Sequence, residues 1–268
     1  MIFLLFLIKK MAHILKEEKY PNGSLKYRET ELHGQPGQQV ILEESWYISR
    51  VDPWQATDAA QQRSGQLKCK ENFVNGQKHG IQEWWYPSQA DPSDPWQATD
   101  AAQQQYRYNY VNGQQHGIQE GWYQNGQQRY KYNFVNGQQH GLQEAWWYPS
   151  GVDPSDPWQA TDAARQRGGQ LEYKGNYVNG QKHGLQEGWY DNGQQWYKEN
   201  HVNGQQHGVQ ECWNENGQQK YKKYYLDGVE KSQQAYQSYT RGLAPEIQAV
   251  TDFEERGLSG IIAGYLLP

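Results

Sequence analysis

The stretch Tyr106–Trp146, YRYNYVNGQQHGIQEGWYQNGQQRYKYNFVNGQQHGLQEAW, decides the fold because it copies itself. Asn112 to Asn125 spans 13 residues and Asn125 to Asn136 spans 11, and the same two spacings recur from Asn179 through Asn192 to Asn203. The unit is 24 residues long and is punctuated twice by Asn-Gly. Asn-Gly is the strongest short-range hairpin signal, since a type I′ turn needs φ > 0 at both central residues. Between turns the residues alternate: Tyr130, Tyr132 and Phe134 share one face, while Lys131 and Asn133 take the other. Tyr106, Tyr108 and Tyr110 repeat the pattern one unit earlier. Period two between turn signals is a β-strand. Each unit is one antiparallel hairpin joined to the next by a second turn.

Working outward, the repeats run over residues 20–228, six and a half units that open at Tyr20-Pro-Asn-Gly23 and end in the half unit Tyr221–Gly228. Turn positions fall at Asn22-Gly23, Asn75-Gly76, Asn112-Gly113, Asn136-Gly137, Asn179-Gly180 and Asn203-Gly204. Three joints are stretched, near 50–64, 90–103 and 152–168, and each surplus carries the same nine residues, DPWQATDAA. Asp before Pro starts a helix, with Asp as N-cap and Pro in the first turn. A short helix is predicted at each joint, and identical copies in diverged surroundings read as recent in-frame insertions at tolerant turns.

The totals narrow the architecture. Hydrophobic residues make up only 35% of the chain, yet there are 12 Trp and 21 Tyr against 5 Phe. Such rings bury a large apolar body and keep a polar tip wet. This suits a mainly β, elongated, open single-layer array of antiparallel hairpins whose rings pack sideways. A net charge of −5 removes the basis for broad nucleic-acid binding. Cys69 and Cys212 stand four hairpins apart by repeat count, which in an open array is on the order of 38 Å. No bridge between them is expected, and a reducing, cytoplasmic setting follows.

The ends differ from the middle. Met1–Ile8 is apolar but too short to span a bilayer, and residues 1–19 read as a leader, with Met11 as a second possible start. Residues 229–268 read as helical: Val229–Thr240, then Pro245–Arg256, then an apolar tail. A cap over the open end of the array is the expected role, with a docking helix as the alternative.

Chemistry has few places to reside. His79, His116, His140, His183 and His207 recur once per hairpin, about 10 Å apart, too far to share one zinc ion. A hydrogen bond to backbone beside the following glycine is expected instead. The recurring Gln-Glu pairs (Gln82-Glu83 to Gln210-Glu211) place equivalent carboxylates in equivalent settings, whereas paired acid–base catalysis needs two different ones. No catalytic residue, cofactor or metal is expected. The row Trp46, Trp85, Trp122, Trp146, Trp189 and Trp213 reads as the packing spine of the sheet and as the candidate binding surface.

The motifs Tyr-x-Asn-Gly-Gln, Val-Asn-Gly-Gln-x-His-Gly and Glu-x-Trp-Tyr resemble MORN repeats, in the variant found in YwqK-type antitoxins. The resemblance covers residues 20–228, most of the chain, and implies a hairpin array acting as a non-enzymatic interaction scaffold. A protein partner is implied first; lipid headgroups on a membrane surface, or a toxin, are alternatives. Gly188–Tyr197 also resembles choline-binding wall repeats, which adds a choline- or sugar-binding alternative.

Overall fold

The computed structural model describes residues 12–21, 23, 25–34, 38–46, 67–87, 103–148 and 169–242. The three DPWQATDAA copies, the first eleven residues and everything after 242 lie outside the described residues, and with them the helices expected at the three joints and over Pro245–Arg256. The chain is mainly β and divides into two compact units between Gln138 and Gln139.

The first unit contains β1 (His13–Lys19), β2 (Leu25–His33), β3 (Gln39–Trp46), β4 (Leu67–Val74), β5 (Gln77–Lys78), β6 (Gly80–Trp85), β7 (Gln104–Val111), β8 (Gln114–Gln115), β9 (Gly117–Trp122) and β10 (Gln128–Val135). Every described pair is antiparallel and joins neighbours in the chain, an open run of hairpins. The second unit repeats the plan with β11 (Gln138–Trp146), β12 (Leu171–Val178), β13 (Gln181–Trp189), β14 (Gln195–Val202), β15 (Gln205–Gln206), β16 (Gly208–Trp213), β17 (Gln219–Leu226) and β18 (Val229–Lys231), followed by α1 over 233–242.

The two Asn-Gly sites of a unit are different turns. Asn75, Asn112, Asn136, Asn179 and Asn203 have φ of 49–50° with a positive-φ glycine after each, the backbone of a type I′ turn. At Asn125, Asn192 and Asn216 only the following glycine is positive. There Gly126 N–H donates to Tyr123 O and Tyr123 N–H to Gln127 O, a type I turn closed by a left-handed glycine. Gly23, bonded to Tyr20 O, belongs to this second kind. Such a turn needs a strand on each side, and this explains why the leader expected through residue 19 instead contains β1, paired with β2.

The helix expected from Val229 starts later. Asp227 and Gly228 have φ of 49° and 77°, so this pair is a further type I′ turn and folds Val229–Lys231 back onto β17. Ser232 then caps α1: its Oγ accepts from Ala235 N–H at 3.2 Å. The Tyr236 ring packs on Tyr224 at 5.3 Å, seating the helix against the last long strand.

One further device recurs in every hairpin. Opposite each tryptophan the partner strand carries two residues against one, so that Trp122 pairs with Gln128 while Gly121 pairs with Tyr130. The same bulge faces Trp46, Trp85, Trp146, Trp189 and Trp213. A bulge strengthens local twist and re-aims the extra side chain.

Candidate functional site

Alternation along β6, β9, β11, β13 and β16 sorts the side chains onto two faces. One face carries the Gln of each Gln-Glu pair together with the cross-strand tyrosines; the other carries the Glu, the Trp and one aliphatic residue.

The glutamine face is the internal one. Gln82, Gln119, Gln143, Gln186 and Gln210 are the most deeply buried large side chains among the described residues, at 0–2% exposure. Gln82 Oε1 accepts from Asn72 N–H at 2.9 Å and its Nε2 donates to Asn72 O at 2.8 Å. Gln119 does the same with Asn109, at 3.2 and 2.9 Å. The need arises from the turn glycines. Gly80 and Gly117 have positive φ and swing the returning strand outward, interrupting the ladder beside Asn72 and Asn109. The glutamine amide fills that gap as a substitute peptide group. Tyrosines close the same face: Tyr130 crosses Gly121, where an added Cβ would lie 2.5 Å from its ring, and Tyr197 overlaps the Cβ position of Gly188 in the same way. Tyr108 and Tyr130 share a short hydroxyl–hydroxyl bond, and burial pushes both phenols up.

The histidines knit successive hairpins rather than their own. His79 Nδ1 accepts from Asn112 N–H at 3.4 Å, and His116, His140, His183 and His207 accept from Asn136, Asn179, Asn203 and Asp227 in turn. Beside each bond the turn glycine donates to the preceding hairpin, as Gly113 N–H does to Lys78 O at 2.9 Å. The backbone bond expected for histidine is present, but its donor belongs to the next turn along. Among the described residues no three His, Cys, Asp or Glu side chains are grouped to hold a metal ion.

On the other face the glutamates form a row of alternating charge. In the first unit Glu17, Arg28, Glu44, Lys70, Glu83, Arg107, Glu120 and Lys131 stand opposite one another on successive strands. In the second unit Glu144, Lys174, Glu187, Lys198, Glu211 and Lys222 do the same. Measured contacts include Lys222–Glu211 at 2.9 Å and Lys174–Glu144 at 3.5 Å. Four of the carboxylates, Glu83, Glu120, Glu187 and Glu211, are also tied to the next hairpin by a glutamine, as Gln128 Nε2 is to Glu120 at 3.2 Å. Opposite charges facing across a ladder stabilise register by roughly 0.2–1 kcal/mol a pair.

Two rows flank the charges. The tryptophans form one: Trp46 is buried under the Arg28 guanidinium, 5.6 Å from its ring, and Trp85, Trp122, Trp146, Trp189 and Trp213 are half-buried. Their carbonyls receive the aromatic residue of an earlier hairpin: Tyr86 Oη donates to Trp122 O at 3.0 Å and Trp147 Nε1 to Trp189 O at 2.9 Å. Ile81 and Ile118 in the first unit, and Leu142 and Leu185 in the second, stand on the other side of the charges and are exposed at 38–47%. Sequence reasoning singled out the tryptophans but passed over these aliphatic residues, although their position directly before each Gln-Glu pair is plain in the repeat.

Residues 115–136 match the family model described as MORN repeat variant. The match spans one unit; the pattern it covers recurs through the chain by the chain's own repetition. No curated protein matches the sequence. Among the described residues no helix is long and apolar enough to cross a membrane.

Proposed function

We propose that this protein is a non-catalytic docking scaffold that binds a partner protein along the face carrying its tryptophans. The observation that carries the reading is the exposed aliphatic residues: Ile81 and Ile118 in the first unit share a face with Trp85 and Trp122, and Leu142 and Leu185 in the second share one with Trp146 and Trp189, while the opposite face of each unit is spent on internal glutamine and tyrosine contacts. Exposed apolar side chains on both sides of a charged row offer a partner both apolar contact and polar pairing. MORN repeats are in general protein or membrane interaction modules, which agrees with this assignment. The glutamates favour it too, since each is flanked by cations and serves register. Neutralisation of a toxin, implied by the resemblance to YwqK-type repeats, is one form such docking would take.

The test is binding by the full chain against a triple variant, Ile118→Lys, Leu142→Lys and Leu185→Lys. These side chains already face water, so circular dichroism and the melting temperature are expected to hold while capture of the wild-type partner falls at least tenfold. Equal capture by both proteins would reject this face. Flotation with acidic liposomes decides the membrane alternative: co-flotation of the wild type but not of the variant makes the partner a lipid surface.

A further inference from the structure

The tetrapeptide Val-Asn-Gly-Gln occurs five times, with its asparagine at 75, 112, 136, 179 and 203. Every copy forms the same exposed turn, with the asparagine at φ 49–50° and the glycine positive as well. Asn-Gly is also the pair in which a main-chain nitrogen most readily attacks the preceding side-chain amide, because glycine puts no side chain in the way. Local sequence and backbone are equal in the five copies, so only the contacts of each turn set them apart.

Four copies have their glycine latched. Gly113 N–H donates to Lys78 O at 2.9 Å, Gly137 to Gln115 O at 2.8 Å, Gly180 to Gln139 O at 2.8 Å and Gly204 to Lys182 O at 2.9 Å. Each acceptor stands three residues after the asparagine of the preceding copy. Asn75 has no copy before it, since β3 pairs with β2 in unbroken register from Gln39 to Ser45. Here the asparagine takes the contacts instead. Its N–H donates to Gln39 O at 2.8 Å, and its Oδ1 accepts from Gln39 N–H at 2.9 Å. Gly76 N–H has no hydrogen-bond acceptor among the described residues.

We propose that Asn75-Gly76 is a site of self-modification, where the folded chain converts asparagine to aspartate and isoaspartate ahead of its four sister turns. Rotating the Asn75–Gly76 peptide plane carries the glycine nitrogen toward Cγ of Asn75. In the sister turns that motion costs the glycine its bond; here it costs none. Gly76 N gives up its proton to solvent and bonds to Cγ, and charge develops on Oδ1. Gln39 N–H already donates to that oxygen, as donors of an oxyanion hole do. Collapse breaks the Cγ–Nδ2 bond and releases ammonia, which leaves a cyclic imide. Water then opens the imide at either carbonyl. Opening at Cγ gives aspartate, and opening at the main-chain carbonyl gives isoaspartate, with water consumed, ammonia lost and one negative charge gained. Isoaspartate lengthens the main chain by one atom within the turn that Gln39 holds. The inference rests on this turn alone and is independent of docking on the tryptophan face.

The five identical tetrapeptides are their own control. The full chain is aged in mildly alkaline buffer, folded and in concentrated urea, and mapped over time by proteolysis and mass spectrometry for the exchange of amide for acid. Isoaspartyl methyltransferase labelling of the same peptides reports the rearranged product. In the folded chain Asn75 is expected to convert faster than Asn112, Asn136, Asn179 and Asn203 by about fivefold or more, the scale of one hydrogen bond. In urea the five should convert alike. A sister asparagine that matches or outruns Asn75 in the folded chain overturns the proposal. So does a lead for Asn75 that persists in urea, because the cause would then lie outside the folded turn.

Discussion

The side-chain amide of Gln82 and the peptide group of Asn72 pair as two strand residues would, with Oε1 accepting at 2.9 Å and Nε2 donating at 2.8 Å. A side chain here does the work of a backbone. The pair sits where Gly80, at φ 77°, carries the returning strand away, and without Gln82 the Asn72 N–H has no acceptor of its own. A buried donor left unmade costs about 1–3 kcal/mol. Gln82→Ala and Gln119→Ala are therefore expected each to destabilise the first unit by about that amount in urea titration. Gln82→Leu, which restores volume but not the amide, should recover little of it, and a full recovery by leucine would assign the position to packing instead.

The hairpins were legible in the sequence because their turns are written in Asn-Gly and their strands in alternating aromatics, both local signals. The burial of Gln82 was not, because glutamine is an exposed residue by habit and its partner Asn72 stands ten residues back. The bulges were likewise hidden: an extra residue such as Arg129 reads as one more polar position until the register against Trp122 is known. The alternating row of Glu83, Arg107 and Glu120 is non-local in the same sense, since pairing decides which charges meet. The tryptophans were visible, but the sequence did not separate their face from the tyrosine face. A bulge shifts alternation by one residue and mixes the two in any reading by period alone.

Glu43 occupies the position that is glutamine in the later hairpins and stands directly between Glu29 and Glu71 on the neighbouring strands. Burial, followed by the Glu71 and Glu29 charges, raises its pKa. A carboxyl raised in the folded state favours folding when protonated, so that contribution is complete below the ordinary glutamate range and lost as pH climbs through the raised value. At neutral pH the repulsion is fully felt. Glu43→Gln is expected to stabilise the first unit by about 0.5–1 kcal/mol at pH 7, the scale of a like-charge pair across a ladder. The gain should vanish near pH 4, where glutamate is largely protonated in folded and unfolded chains alike. A gain independent of pH would point to packing.

The two kinds of turn predict different rescues. Asn112 is held at φ 49°, a conformation that costs an ordinary side chain roughly 1–2 kcal/mol. Asn112→Ala should lose about that much and Asn112→Gly almost nothing. Asn192 is not in that region; its Oδ1 accepts from Gln194 N–H at 2.9 Å. There glycine should fail to rescue and aspartate, which keeps the acceptor, should succeed. Thermal melts of the four variants check this, and rescue by glycine at both sites would mean that the turns are alike.

His201 breaks its own repeat. The equivalent residues are Tyr110, Phe134 and Tyr177, all aromatic and without a basic nitrogen. In the structure His201 is buried, its Nδ1 has no hydrogen-bond partner and its Nε2 is 3.9 Å from Glu199. Burial, with the Lys182 charge behind it, lowers its pKa to about 4. A histidine held neutral by the fold contributes stability that is complete above the ordinary imidazole value, about 6.5, and is lost as pH falls through the lowered one. Between those limits the second unit should lose about 2–3 kcal/mol on this account. His201→Tyr copies its neighbours and removes the orphaned nitrogen. It is expected to be more stable by about 1 kcal/mol or more at pH 7, and its advantage should widen as pH drops from 6.5 to 4. Urea titrations of both proteins across that range measure the difference directly. Parallel losses in the two would place the acid sensitivity elsewhere.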